Sequence, residues 1–244
     1  MTVRYPRSKT TSVRDFVVIT CEHGGNRIPA EYERYFRGWR RILDTHRGYD
    51  AGALVMARQL AGAFGAPLVA STVSRLVIDL NRSLSHRDVW SDASRKLPPA
   101  MQQRIVRRHY APYRRRVAAI IAAAIAARRR VVHLSSHSFT PVLDGVVRMA
   151  DVGLLYDPAR PGEAAFAARW KSAVAAAAPH LRARRNYPYA GRNDGLTSSL
   201  RRRFPPERYV GIEIEINQAL VAADPRLWRQ MRATIIATLQ ATVR

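Results

Sequence analysis

The run Phe16-Val17-Val18-Ile19-Thr20 is β-branched and nearly uncharged. That is the pattern of a strand buried on both faces. It stops abruptly in Cys21-Glu22-His23-Gly24-Gly25-Asn26. A carboxylate, an imidazole and two glycines at a strand end mark a candidate site, because ligands of open α/β sheets collect at the carboxyl ends of strands. The glycines let the backbone bend sharply and approach a bound group closely. The bland alternative is a turn, with Asn26 capping a helix that begins near Pro29.

Further runs of the same kind follow. Pro67 to Ser71 and Arg75 to Leu80 read as short strands. Val131 to His137 reads as a strand that again ends in a histidine, and Val152 to Tyr156 and Val210 to Asn217 complete the set. Between them lie helical stretches: a short one at Glu31 to Leu43, Ala51 to Phe64 with Asp50 as a candidate cap and Gly65 as its stop, Ala100 to Arg130 with a break near Pro112, Gly162 to Ala178, and Pro225 to Val243. His86 to Pro99 and Asn186 to Arg203 read as long polar loops. Strands alternating with helices imply an α/β fold with a largely parallel sheet covered on both faces.

The chain has 244 residues, enough for one large domain or two small ones. No repeat or low-complexity linker divides it. Met1 to Arg14 is polar and basic, an expected loose arm with no apolar core of a signal peptide. No apolar run is long enough to span a membrane. One cysteine excludes an internal disulfide framework and suits a reducing compartment, so a cytoplasmic location is expected.

The net charge of +23 raises the question of nucleic acid. The excess is almost all arginine, comes with many alanines and is scattered in small groups such as Arg114-Arg116, Arg128-Arg130 and Arg201-Arg203. None sits among the interleaved aromatics of a single-strand groove. Solvated helix faces and helix ends account for it, and nucleic acid is not the expected partner.

Several strand ends carry polar chemistry: His23, Asn81-Arg82, His137 and Glu215, with His46 in a polar loop. Three imidazoles and a carboxylate suit a catalytic zinc site with one open position. Such a metal activates water, and a nearby glutamate moves the proton. No H-E-x-x-H and no cysteine pair is present, so spacing alone argues weakly for metal. Glu213 and Glu215 share one face of their strand. Two buried carboxylates are costly unless paired or bound, and arginine pairing is the structural alternative. Arg82 has a fork suited to a carboxylate. Asp79 and Arg75 share a face and can simply pair. His133, in mid-strand, reads as a packing residue, and His86, His109 and His180 as surface residues. A serine triad through Ser136 or Ser138 lacks the G-x-S-x-G elbow.

Together, Cys21 to Asn26, His46-Arg47-Gly48-Tyr49-Asp50-Ala51-Gly52-Ala53, Ser74 to Arg82, His137-Ser138-Phe139-Thr140-Pro141 and Gly211 to Glu215 resemble the N-formylglutamate amidohydrolase family, closest to its family-like branch, from about residue 16 to residue 222. The resemblance implies one catalytic domain with a three-layer α/β/α fold and a mixed, largely parallel sheet, like that of zinc exopeptidases such as carboxypeptidases and aspartoacylase-type deacylases. It implies a bacterial, metal-dependent hydrolase acting on the amide of a small acidic N-formyl or N-acyl amino acid. One Zn2+ per chain is the expected cofactor, another divalent metal an alternative. His23 matches the first ligand position and His137 the late one. The carboxypeptidase glutamate three residues after the first histidine is replaced by Asn26, a poor ligand. His46 is the expected third ligand, at a place where some members carry aspartate. Asn81 and Arg82 resemble the pair that grips the substrate carboxylate, and Glu215 the catalytic glutamate. Arg75 is a candidate for stabilising the oxyanion.

The expected function is therefore zinc-dependent deformylation or deacylation with Glu215 as general base. A carboxypeptidase or amidase acting on a peptide or cell-wall fragment is the alternative within enzymes. A basic nucleic-acid-binding protein, or a relative without its metal, are the alternatives outside it. Residues around both histidines depart from those of the histidine-pathway enzymes, so N-formylglutamate is expected only as a substrate class.

Overall fold

The computed structural model describes residues 15–243, and the expected N-terminal arm lies outside them. Six strands form one sheet: β1 (Phe16–Cys21), β2 (Leu68–Ala70), β3 (Val131–Phe139), β4 (Val152–Leu155), β5 (Ala183–Arg185) and β6 (Tyr209–Asn217). Their spatial order is β2-β1-β3-β6-β4-β5. Every neighbouring pair is parallel except β4 with β6. The sheet is mixed and mostly parallel, with helices on both sides, as expected.

Period-two alternation along the strands gives the sheet two different faces. Val17, Ile19, Val132, Leu134, Ile212, Ile214 and Ile216 point to one face. There they pack against α1 (Ala53–Phe64), α3 (Pro161–Ala177) and α5 (Pro225–Thr242), whose Met56, Trp170 and Ile235 are fully buried. Burying side chains of this size stabilises by roughly 1.5–3 kcal/mol each. On the other face Val18, Val131 and Tyr209 meet Val117, Ile121 and Ala124 of α2 (Ala111–Ala126). Toward the carboxyl ends this second face turns polar and stays buried: Thr20, His133, Ser135, His137, Glu213 and Glu215. The β3–β6 register sets Ser135 beside Glu213 and His137 beside Glu215.

Where the local structure departs from expectation, tertiary contacts explain it. Arg75 to Leu80 is a buried turn rather than a strand. Leu76, Val77, Ile78 and Leu80 are all buried, so no face alternates. Its backbone bonds are local or reach a loop: Val77 N donates to Ser74 O at 3.0 Å and Asp79 N to Val89 O at 2.9 Å. The segment after Asn186 contains a helix, α4 (Leu196–Arg203). Glu31 to Leu43 is a chain of single 3-10 and α-helical turns. The loop before Pro99 holds one helical turn, Asp92–Arg95. The long stretch from Pro99 runs to Ile105, widens into a π-helical turn at Val106–Tyr110 and continues as α2, so the break falls just before Pro112. After β3 comes a small hairpin, Val142–Leu143 with Val146–Val147, with Val146 and Val147 exposed. No described helix is long and apolar enough to cross a membrane.

Candidate metal centre and active site

His23 leaves the end of β1 and His137 lies near the end of β3. Between them sits Asp50, from the loop before α1. One donor atom from each lies within 4.8 Å of the others, and all three residues are buried. The loop that carries Asp50 is stitched to both neighbours. Asp50 N donates to His23 O at 2.9 Å, and Ser74 Oγ donates to Gly48 O at 2.8 Å. Asp50 does not cap α1, as its sequence position suggested. Gly52 holds that place with φ of +79°, a left-handed conformation suited to glycine. The freed Asp50 carboxylate turns into the site instead.

Both imidazoles are oriented the same way. His137 Nδ1 lies 2.8 Å and His23 Nδ1 3.4 Å from Asp50 Oδ2. The opposite nitrogens face other carboxylates: His23 Nε2 lies 2.8 Å from Asp79 Oδ1, and His137 Nε2 lies 3.0 Å from Glu22 Oε2. Metal-ligating histidines characteristically donate their second N–H to a carboxylate, which frees the first nitrogen for the ion. Arg75 donates to Asp79 at 2.7 Å and to Asp50 at 3.4 Å, so the expected Arg75–Asp79 pair is present. Ionised Asp50, Asp79 and Glu22 carry three negative charges against one on Arg75. Protonated His23 and His137, which burial would depress but their carboxylates raise above the ordinary histidine value, complete the balance in the metal-free protein. A divalent cation displacing those two protons would complete it equally. The donor set therefore fits a metal ion, with two imidazoles and a carboxylate as in catalytic zinc sites.

These contacts shift the charges of the groups. Burial alone would raise Asp50, but His23 and His137 hold it well below the usual carboxylate range. Burial works against Glu22 too, yet His137, Ser135 and Tyr113 bring it down to about 2. His137, which burial would depress, is raised by Asp50 and Glu22. Glu215 goes the other way. Burial, then Asp50 and Glu213, push it up to about 8. Its Oε2 is buried without a hydrogen-bond partner. Glu213 accepts from Thr197 Oγ1 of α4 at 2.5 Å. The arginine pairing offered as an alternative for these two glutamates is absent among the described ion pairs.

A cavity of about 180 Å³ opens over this cluster. His23, Asp50, His137, Glu213 and Glu215 line it together with Arg75, Asn81 and Arg82. Asn81 is fixed by Leu196 N, which donates to its Oδ1 at 2.7 Å, and Arg82 donates to Asp194 O at 2.6 Å. His46 is exposed. It reaches the cavity rim but stands outside the three-residue cluster, whose third member is Asp50. Asn26 donates to Asp44 at 2.7 Å instead of capping a helix. Gly24 and Gly25 do permit a close approach, but to the chain beside them. A Cβ there would lie 2.9 Å from Ser71 O and 2.8 Å from Thr72 O respectively.

The remaining candidates settle into structural roles. His133 is bound by Thr20 Oγ1 at 2.9 Å and Tyr209 Oη at 2.7 Å and is a packing residue. Ser136 and Ser138 donate to Ala53 O and Ala51 O, which ties β3 to the start of α1. His109 is only partly exposed, while His180 is exposed. Asp50 and Glu22, which meet the two histidines here, carried no site expectation from the sequence. Asp50 stood in a quoted motif at helix-cap spacing, which favoured the commoner role. Glu22 sat beside a candidate ligand.

Fold and site together define an α/β protein with a buried, metal-capable cluster at the carboxyl edge of its sheet. Two solved structures share this fold. The gene product Atu2144 from Agrobacterium tumefaciens is 30% identical, with a TM-score of 0.77 and coverage of 95% of this chain and 91% of that one. An N-formylglutamate amidohydrolase from Ralstonia eutropha JMP134 is 20% identical, with a TM-score of 0.70 and coverage of 95% and 94%. No curated protein matches the chain. The family model for N-formylglutamate amidohydrolase matches residues 16–222, and the chain belongs to that family. Membership indicates an amidohydrolase.

Proposed function

We propose that this chain is a metal-dependent hydrolase of the amide in an N-formyl or N-acyl amino acid, with N-formylglutamate as the substrate its family suggests. The metal, zinc by its donor chemistry, is held by His23, Asp50 and His137. One observation carries the reading: two buried histidines turn one nitrogen each toward Asp50 while carboxylates back the other, and the free carboxylate oxygen of Glu215 belongs to the same cavity wall. When bound, the ion polarises the scissile carbonyl and acidifies water.

Glu215 takes the proton of the attacking water and passes it to the leaving nitrogen. Water adds to the acyl carbon, the C–N bond breaks, and the products are a carboxylate and an amino acid. Burial raises the Glu215 carboxyl in the metal-free protein. A bound cation would draw it back toward the ionised form needed to accept a proton, while the shielded setting keeps it able to hold that proton between the two steps. Arg75, with N–H groups beyond those given to Asp79 and Asp50, faces the developing oxyanion. Arg82 grips the substrate carboxylate, helped by Asn81. The cavity volume of about 180 Å³ suits a derivative of one amino acid. Pockets for drug-sized ligands run from about 300 Å³ upward, so a peptide or cell-wall fragment is the poorer fit. The chain acts as one catalytic domain.

The test joins metal content to turnover. Purified protein, given zinc and freed of excess, should hold about one ion per chain. It should release formate from N-formylglutamate, with N-formylaspartate and N-acetylglutamate compared alongside. Absence of bound metal, or of hydrolysis across the series, overturns the proposal.

A further inference from the structure

Beneath the cluster lies a second layer that the proposed chemistry does not use. Glu22 follows β1 directly, is 1% exposed, and points away from the cavity toward α2. Its two carboxylate oxygens have distinct partners. Tyr113 Oη, from α2, donates to Oε1 at 2.7 Å. Ser135 Oγ, from β3, donates to Oε2 at 2.5 Å. His137 Nε2 lies 3.0 Å from the same Oε2 and 2.9 Å from Ser135 Oγ.

These bonds place a proton on Nε2 of His137. An ionised carboxylate only accepts. The Ser135 hydroxyl spends its proton on Glu22, so toward His137 it also accepts. Nε2 must therefore carry the hydrogen. Asn81 Nδ2, 3.4 Å from Nε2, is itself a donor and cannot accept that proton. Its orientation is set because its Oδ1 accepts from Leu196 N. Glu22 and Ser135 hold the Nε2 proton, while Nδ1, 2.8 Å from Asp50 Oδ2, donates there in the metal-free protein and would give up that proton to a bound ion.

We propose that Glu22 is the positioning residue of the metal centre: through Tyr113 and Ser135 it holds the His137 ring and its proton so that Nδ1 faces Asp50. This rests on the metal-centre reading above. His23 has an equivalent backing in Asp79, but Asp79 is shared with Arg75 at the cavity. Glu22 makes no contact with the cavity, which separates its effect on metal from any effect on substrate.

The experiment measures the zinc dissociation constant by chelator competition for the wild type, Glu22→Gln and Tyr113→Phe. The visible spectrum of the cobalt-substituted proteins reads ligand geometry. Ile121→Val, in the same helix and the same core, reports stability loss alone. Glu22→Gln is expected to weaken zinc by roughly 10–100-fold. Tyr113→Phe should weaken it in the same direction by less. Both should shift the cobalt spectrum, while Ile121→Val leaves affinity and spectrum unchanged. Unchanged affinity in folded Glu22→Gln overturns the inference. If that variant does not fold, unchanged affinity in Tyr113→Phe overturns it. A wild type that takes up no metal overturns the centre itself and Glu22's role with it, an outcome distinct from a wild type and Glu22→Gln that bind equally well.

Discussion

On one face of β3 and β6 stand Val132, Leu134, Ile212 and Ile214, closed over by α1, α3 and α5. On the other stand His133, Ser135, His137, Glu213 and Glu215, also buried. Backbone, register and burial are shared by the two faces; only the side chains differ. The apolar face gains stability from every residue it buries. The polar face gains little net stability from each hydrogen bond, about 0.5–1.5 kcal/mol, and costs 1–3 kcal/mol for each group left unpaired. It is tolerable because nearly every group has a partner, and Glu215 Oε2 stands out because it has none. Stability and chemistry are thus divided across one sheet, and they should respond to mutation separately.

The largest effect should come from Asp50→Ala, which removes the carboxylate shared by both imidazoles. Metal content should fall from about one per chain to near zero and turnover should vanish with it. An Asp50→Ala protein that retains stoichiometric zinc would return the third-ligand position to His46. Glu215→Gln comes next. It should keep its metal and lose roughly 10²–10⁴-fold in kcat. Normal turnover would move the base to Glu213.

The apolar face should show the opposite signature. Ile214→Ala, one residue from Glu215, should cost about 2–5 kcal/mol in denaturant unfolding of the metal-free protein. Its zinc affinity once folded should match the wild type. A large affinity loss would mean that the two faces are coupled through β6.

The pH dependence of stability sharpens the same division. In the folded metal-free protein Glu215 is pushed up to about 8, above its ordinary value of 4.5. A raised folded value means that its contribution is fully present below about 4.5 and is lost as pH rises through about 8. Glu215→Gln cannot titrate. The difference in melting temperature between the variant and the wild type should therefore grow in the variant's favour from pH 5 to pH 9 (about the span of the shift). A constant difference would contradict the raised value. The smallest effect should be that of His46→Ala, at the rim. Metal content should be unchanged and kcat/KM should change by less than about threefold, as for a surface substitution.

Much of this site could be read from the chain. The β-branched runs at Phe16, Val131 and Val210 became β1, β3 and β6, because a strand buried on both faces has a pattern that few alternatives share. The shared face of Glu213 and Glu215 followed from period two alone. His23 and His137 come together because strand ends meet at one edge of a parallel sheet. The misses have a common cause. Arg75 to Leu80 has strand composition, but its burial on all sides comes from loops that pack around it. The helix α4 lies in a polar segment, docked through Leu196 N to Asn81 and Thr197 to Glu213.

What the amino-acid sequence determined by itself was periodic: the long strands and amphipathic helices, which residues share a face, and which histidines stand at strand ends. Those depend on neighbours two to four residues away. What only the tertiary structure decided was which nearby polar residues meet the two histidines: Asp50 lies between them, His46 stays at the cavity rim, and Glu22 lies against His137. The loop from Asp44 to Asp50 offers two ligand types four residues apart, and nothing local prefers one. The preference comes from Gly48 O bound by Ser74, from Asp50 N bound by His23 O, and from a left-handed Gly52 that turns the chain after it. Glu22 meets Tyr113 from 91 residues away and Ser135 from 113, partners that only a closed sheet can bring beneath one imidazole.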